Sequence, residues 1–440
     1  MKKAILTTFL VAGTATILSA QQISEAQKAY IVSKFCTEVK YNFVHYNKLT
    51  FDWDSLCVAE LPKLTATKTD YEFVQALQRL CVQLHDGHTQ IYSGNFGSED
   101  EWVRPLPFET KLVVNRVFVT NVYNSKFVEQ GLVRGCEILE IDDEKVLDYA
   151  DNHIRPYISY STLQWQRMSS CRTFALTKDK GNKVTKIKFR TPDGKITELK
   201  SARTIDWDLD KEDRIFDYKV LGNNVGYLVI NTFMGNNYKA QFDSVYKKIR
   251  TTEALIIDLR DNTGGNSSYA DYIVRHLINR PVRLGSWSTP MYIAAHASWN
   301  YAPEFYTTAG STLNPITSTT VYKNPVVVLV NGATFSSAEN FCVNFRAAKR
   351  GVIIGTSTGG STGNPIQIKL SSDISCIICT KNELAADGSE FIGIGIKPDI
   401  EVEETADIFL KNQDVVIEQA LKQIKNERQN SNKIEASHNN

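Results

Sequence analysis

Val326-Val327-Val328-Leu329-Val330-Asn331-Gly332-Ala333-Thr334-Phe335-Ser336-Ser337-Ala338-Glu339 reads as an apolar strand, a turn of small residues and the start of a helix. The strand is apolar throughout and shows no alternation, which predicts burial on both faces, as in a parallel sheet. The helix is expected over 337–350, with Phe341, Phe345 and Ala348 inward and Gly351 at the stop. A hydroxyl at such a junction sits at a helix N-terminus. The partial positive charge and the free N–H groups there favour a developing anion. That is the physical logic of a nucleophilic serine beside a backbone oxyanion hole. Ser336 or Ser337 equally suits an N-cap. The stretch is not the G-x-S-x-G elbow of the α/β-hydrolases.

Outward from this stretch, 225–230, 254–259 and 352–355 are further apolar strands, and a helix is expected over 268–277. Strands and helices alternate from about 214 to 421, which predicts a parallel α/β core. Asp258-Leu259-Arg260-Asp261-Asn262-Thr263-Gly264-Gly265-Asn266 is a second glycine-rich junction between strand and helix. Its successive glycines let backbone N–H groups approach a ligand closely. It lacks the Gly-Lys-Ser/Thr of a P-loop and does not fit G-x-G-x-x-G, so it is a weak nucleotide site.

Upstream, the period changes. Residues 106–203 read as strands, with β-branched runs at 111–114 and 117–122 and a hairpin turn at Pro192-Asp193-Gly194. Residues 23–95 read as helices, since Ile31, Phe35, Val39 and Phe43 recur every four residues. Thr69-Asp70-Tyr71-Glu72 resembles a capping box. The helix it opens is expected to end near His85-Asp86-Gly87-His88, with Gly87 as a left-handed stop. Of the seven histidines, His85 and His88 sit where a loop imidazole can reach another part of the fold and act as a general base.

Composition bounds the rest. The chain has 440 residues, which at roughly 100–200 per domain implies two to four domains. Its 42% hydrophobic and 22% charged residues are those of a globular protein. With 50 Lys+Arg against 49 Asp+Glu it carries no electrostatic footprint for nucleic acid. Lys2, Lys3, the apolar run 4–18 and Ser19-Ala20 read as a signal peptide cut after Ala20, and no later run is long enough for a stable membrane span. Export permits disulfides among the eight cysteines. Cys376-x-x-Cys379 has no second pair or nearby His for zinc and no thioredoxin-like setting, so no metal and no cofactor are expected. The polar tail 426–440 is expected to be disordered.

Taken together, these segments resemble the C-terminal processing peptidases, the tail-specific protease superfamily that includes the tricorn core protease. Leu84-His85-Asp86-Gly87-His88-Thr89 is similar to its L-x-D-G-H-[ST] element. The run from Gly131 to Ile141 is similar to its PDZ signature. Ile257 to Gly265 is similar to D-L-R-x-N-x-G-G, Thr334 to Glu339 to the nucleophile element [TS]-x-S-[AS]-x-E, and Gly393 to Ile400 to G-x-G-[IV]-x-P-D-[IV]. The resemblance implies a multidomain α/β protein: a signal peptide (1–20), an N-terminal helical region (21–100), a PDZ-like β domain (101–205), a parallel α/β, crotonase/ClpP-like catalytic core (206–425) and the tail.

The resemblance further implies Ser336 as nucleophile, with the Ser337 N–H and the Gly264 and Gly265 backbone as oxyanion hole. One branch of the family takes its base from a lysine in G-x-x-T-x-G-K; here Gly355-Thr356-Ser357-Thr358-Gly359-Gly360-Ser361 puts Ser361 in that place. The tricorn-like branch uses an upstream histidine, which implies His88, and activity rising through about pH 6.5. The acid that orients His88 falls to Glu390, on the same strand face as Ile392, which stands at the family's acidic position. Glu339 and Asp387 are the alternatives. The implied function is an exported serine endopeptidase acting on polypeptides. A catalytically silent peptide- or ligand-binding protein on the same fold is the reading from another class. The sequence leaves the oligomeric state open.

Overall fold

A computed structural model describes residues 22–93, 106–172, 184–202, 207–209 and 214–438, with side chains to 430. The expected signal peptide lies outside the described residues.

The chain begins with helices Glu25–Asn42, Trp53–Thr65 and Asp70–Val82. The first opens with a capping box between Ser24 and Gln27, the third with the one expected between Thr69 and Glu72. Their apolar faces bury Ile31, Phe35, Val39, Phe73, Leu77 and Leu80 in one cluster, and a Cys36–Cys57 disulfide ties the first two helices. Residues 106–202 form an antiparallel sheet in the order Phe108–Val113, Arg116–Val122, Glu137–Ile141, Val184–Arg190, Ile196–Ala202. Its last hairpin turns at Gly194, whose φ of 91° requires glycine.

The core sheet runs Ile400–Glu401, Val352–Gly355, Val326–Val330, Ala254–Asp258, Val225–Ile230, Phe216–Leu221. All its pairs are parallel except the last. Helices Tyr238–Ile249, Ser267–Arg275 and Ser337–Ala347 cover one face. Val416, Ala420 and Ile424 of the helix Val415–His438 cover the other. Val326–Val330 is buried at every residue, as its unbroken apolar run demands. The C-terminal helix continues through 426–438, where the polar sequence predicted no element.

Two features position the site. Ala254–Asp258 and Val326–Val330 are parallel neighbours, Asp258 opposite Leu329, so both glycine-rich junctions open at the same sheet edge. The strand Gln90–Ser93, just after His88, pairs antiparallel with Ile374–Ile378, which lies between the core strands Val352–Gly355 and Ile400–Glu401 in the chain. Leu370, Ile374, Cys376, Ile378 and Cys379 thus complete the core of the N-terminal helices. The N-terminal helices and the 370–379 segment share one hydrophobic cluster, and that carries His88 to the C-terminal edge of the core sheet.

Candidate active site

The turn after Val326–Val330 is held by side chains. Asn331 Oδ1 accepts from the Asp261 and Ala333 N–H groups at 3.1 and 3.0 Å. The Thr334 hydroxyl donates to the Leu259 carbonyl at 2.8 Å, and the Phe335 N–H to that of Asn262 at 2.9 Å. The two junctions are therefore bonded to each other. Asp258 and Arg260 of the D-L-R element form a buried ion pair that continues to Asp414, a scaffold role away from the serine.

Ser336 has φ 57° and ψ −125°, a conformation that costs a residue bearing a Cβ about 1–3 kcal/mol. Its N–H donates to the Ser361 carbonyl at 3.0 Å, and its carbonyl accepts from Glu339 and Asn340 at 2.8 and 3.1 Å. These bonds hold the strain. Ser336 makes no side-chain cap, so its hydroxyl is not spent on the helix. Instead Ser336 Oγ lies 2.9 Å from His88 Nε2.

His88 is fixed on every side. Its Nδ1 is 2.7 Å from Ser361 Oγ. Its ring stacks on Phe335 at 4.8 Å, and Phe335 stacks on Trp165 at 4.1 Å. The left-handed residue that ends the preceding helix is His85, with φ 49°, and not Gly87. Gly87 is required for space: a Cβ there would stand 2.8 Å from the Phe335 ring and 3.2 Å from Ser361 Oγ. Burial lowers the His88 pKa to about 4, opposed by the Glu383 charge. The imidazole is then neutral near pH 7. With the proton on Nδ1, directed to Ser361, Nε2 is free to accept from Ser336.

The acids divide differently from the sequence expectation. Glu390 is not brought to His88; its carboxylate is 56% exposed and pairs with Lys48 at 3.2 Å. Asp387 caps its own turn by accepting from Ser389. Glu339 is fully buried and supports the loop that carries Ser361. It accepts from the Thr358 hydroxyl at 2.5 Å, the Gly360 N–H at 2.8 Å and the Ser361 N–H at 2.7 Å. Burial still pushes its carboxyl up to about 7. The carboxylate whose field reaches His88 is Glu383; burial works against its charge, yet Lys381 and the Asn340 amide hold its pKa below the usual value.

The oxyanion candidates also separate. The Gly264 N–H donates to Asn262 Oδ1 at 2.8 Å, which turns it away from Ser336. Gly264 is there because a Cβ would come within 2.6 Å of Ser336 Cβ. Among the described residues, the Gly265 and Ser337 N–H groups donate to no partner. The Ser337 hydroxyl holds them together by donating to the Gly265 carbonyl at 2.7 Å.

Residues 224–402 match the family model described as Peptidase family S41. The match covers less than half of the chain. The chain is 25% identical over 205 residues to the carboxy-terminal-processing protease of Bartonella bacilliformis, a match spanning 46% of this chain and 43% of that protein. The matched segment is thus less than half the length of this relative. Among solved structures, mature CPAF aligns at 17% identity over 88% of this chain and 94% of its own, with a TM-score of 0.69. Mature CPAF complexed with lactacystin aligns at 17% identity over 91% and 99%, with a TM-score of 0.72. These likenesses establish a shared multidomain α/β fold across nearly the whole chain.

Two groups near His88, Glu383 and Trp165, carried no usable signal in the sequence, and the Ser361 hydroxyl as the Nδ1 partner carried only an indirect one. Trp165 comes from the helix Leu163–Ser170 of the β unit, which docks on the same loop. The Thr162 hydroxyl donates to the Gly359 carbonyl at 2.7 Å and Gln164 Nε2 to that of Thr358 at 2.9 Å. Only the vacancy of the lysine position pointed toward Ser361. For metal binding, the donor atoms that converge among the described residues are those of His45, Asp86 and Cys379, outside this site.

Proposed function

We propose that the protein is an exported serine endopeptidase in which Ser336 attacks the scissile carbonyl and His88 is its general base. The observation that carries this reading is the continuous line Ser336 Oγ, His88 Nε2, His88 Nδ1, Ser361 Oγ, with contacts of 2.9 and 2.7 Å. As Oγ bonds to the carbonyl carbon, its proton passes to Nε2. The oxyanion that forms is received by the Gly265 and Ser337 N–H groups. The imidazolium then gives its proton to the leaving amine, and water repeats the sequence to release the acyl group. Ser361 and the Phe335 face hold the ring through both transfers.

On this reading 206–425 is a crotonase/ClpP-like core, and the antiparallel unit before it is PDZ-like and presents the polypeptide. Support for export comes from the Cys36–Cys57 disulfide, which needs an oxidising compartment. No helix among the described residues is long and apolar enough to cross a membrane. The test is hydrolysis of an unfolded polypeptide mixture by the wild type and by Ser336→Ala. Cleavage by the first alone supports the assignment; equal cleavage by both removes it.

A further inference from the structure

Beside the loop that carries His88, three potential ligand atoms lie close together. They are one imidazole nitrogen of His45, one carboxylate oxygen of Asp86 and Cys379 Sγ, all within 4.8 Å of one another. They come from three elements: the loop after helix Glu25–Asn42, the loop after helix Asp70–Val82, and the end of strand Ile374–Ile378. The backbone already clamps these elements. The Val44 N–H donates to the Cys379 carbonyl at 3.0 Å, and the Cys379 N–H to Thr89 Oγ1 at 3.1 Å.

The polar inventory of this pocket does not close. Asp86 is 2% exposed, and only its Oδ1 is used, by the His88 N–H at 3.0 Å and the Thr89 hydroxyl at 2.9 Å. Asp86 Oδ2 and His45 Nε2 are both buried without a hydrogen-bond partner. Leaving such groups unpaired in a buried site is costly. The Cys379 thiol is near enough to influence Asp86, but its own contacts are long, at 3.7 to 3.9 Å to the carbonyls of Thr362, Gly363 and Lys381. A thiol, an imidazole and a carboxylate with free lone pairs at one point are a metal donor set.

We propose that His45, Asp86 and Cys379 form a zinc site that fastens the loop carrying His88 to the N-terminal helices. Charge supports a dication: a thiolate, a carboxylate and a neutral imidazole around Zn²⁺ sum to zero, so binding removes the burial penalty on both anions. The thiol proton leaves to water as the Zn–S bond forms. Size supports it too. For atoms no more than 4.8 Å apart, some point lies within about 2.8 Å of all three, against zinc distances of about 2.0–2.3 Å, so sub-ångström side-chain shifts complete the coordination. Water takes the fourth position. His45 is half-buried and marks the route of entry.

The consequence bears on the loop and not on the nucleophile. Asp86 Oδ1 holds the His88 N–H, and a Cβ at Gly363 would lie 2.2 Å from Cys379 Sγ and 3.6 Å from His88 Cβ, so the site and the imidazole flank one residue. The test uses the untagged full chain, stripped with a chelator and titrated with ZnCl₂. One zinc per chain is expected, with Tm raised by about 3 °C. Cys376→Ser, a neighbouring buried thiol, retains binding, whereas His45→Ala and Cys379→Ser each weaken it by about 100-fold. Co²⁺ in the wild type gives a thiolate charge-transfer band that Cys379→Ser abolishes. Absence of stoichiometric zinc, binding unchanged in folded His45→Ala and Cys379→Ser, or equal loss in Cys376→Ser overturns the proposal.

Discussion

The two sides of His88 are built in opposite ways. On the Nε2 side, Ser336 belongs to a short continuous stretch in which strand, turn and helix place the hydroxyl by local geometry. On the Nδ1 side, Ser361 is 273 residues from His88 in the chain. It arrives there through Glu339, through the pairing of Gln90–Ser93 with Ile374–Ile378, and through the docking of Leu163–Ser170. The difference teaches where chemistry is local and where it is assembled. On the proposed reading, a nucleophile at a strand–helix junction needs only its own segment, whereas the group that orients its base can be any hydroxyl that three separate packings converge on.

The comparison can be broken most severely at Ser336. Ser336→Ala is expected to lower kcat by about 10⁴-fold or more with little change in Tm, measured by hydrolysis and thermal unfolding. His88→Ala follows, at about 10³-fold. An effect under tenfold would move the base elsewhere, His85 being the next to test. Ser361→Ala probes the assembled side. It is expected to cut kcat by about 10- to 100-fold at unchanged KM, with Ser361→Thr retaining more activity, because ring orientation is lost while Nε2 stays near Ser336.

Two smaller effects sharpen the same contrast. A histidine held by burial at about 4 must charge only in acid. A base acts when neutral, so activity rises with pH through that low value and is already complete near neutrality. In chelator-treated protein, kcat/KM is therefore expected to change less than about twofold between pH 6 and pH 8. A limb near 6.5 would indicate a solvated imidazole. Glu390→Gln is expected to leave turnover within about twofold of wild type, since an exposed pair with Lys48 contributes little. A tenfold loss would return the orienting role to Glu390.

The contrast also explains what could be read from the chain. The buried strand, the glycine-rich junctions, the capping box at Thr69 and the Gly194 hairpin are local patterns with local causes, and each is found in the structure. Ser336 and His88, which the structure brings together, could be proposed from the sequence because each sits in a recognisable segment. Glu390 is expected beside His88 but pairs with Lys48, because strand alternation says which face a residue shares but not what lies opposite that face. Gly264 was read as an N–H donor from its type, whereas Asn262, two residues before it, takes that N–H. The tail looked unstructured because its composition is polar, yet helix Val415–His438, anchored on the sheet by Val416, Ala420 and Ile424, continues through it.

The central claim is that Ser336 and His88, far apart in the chain, act as one reactive pair. A fluorophosphonate probe, with its adduct located by mass spectrometry in wild type and in folded His88→Ala, tests this most directly. The account expects a single adduct on Ser336 that forms about 10³-fold more slowly without His88. No adduct, an adduct on Ser337, or labelling of Ser336 at an unchanged rate in His88→Ala would contradict it.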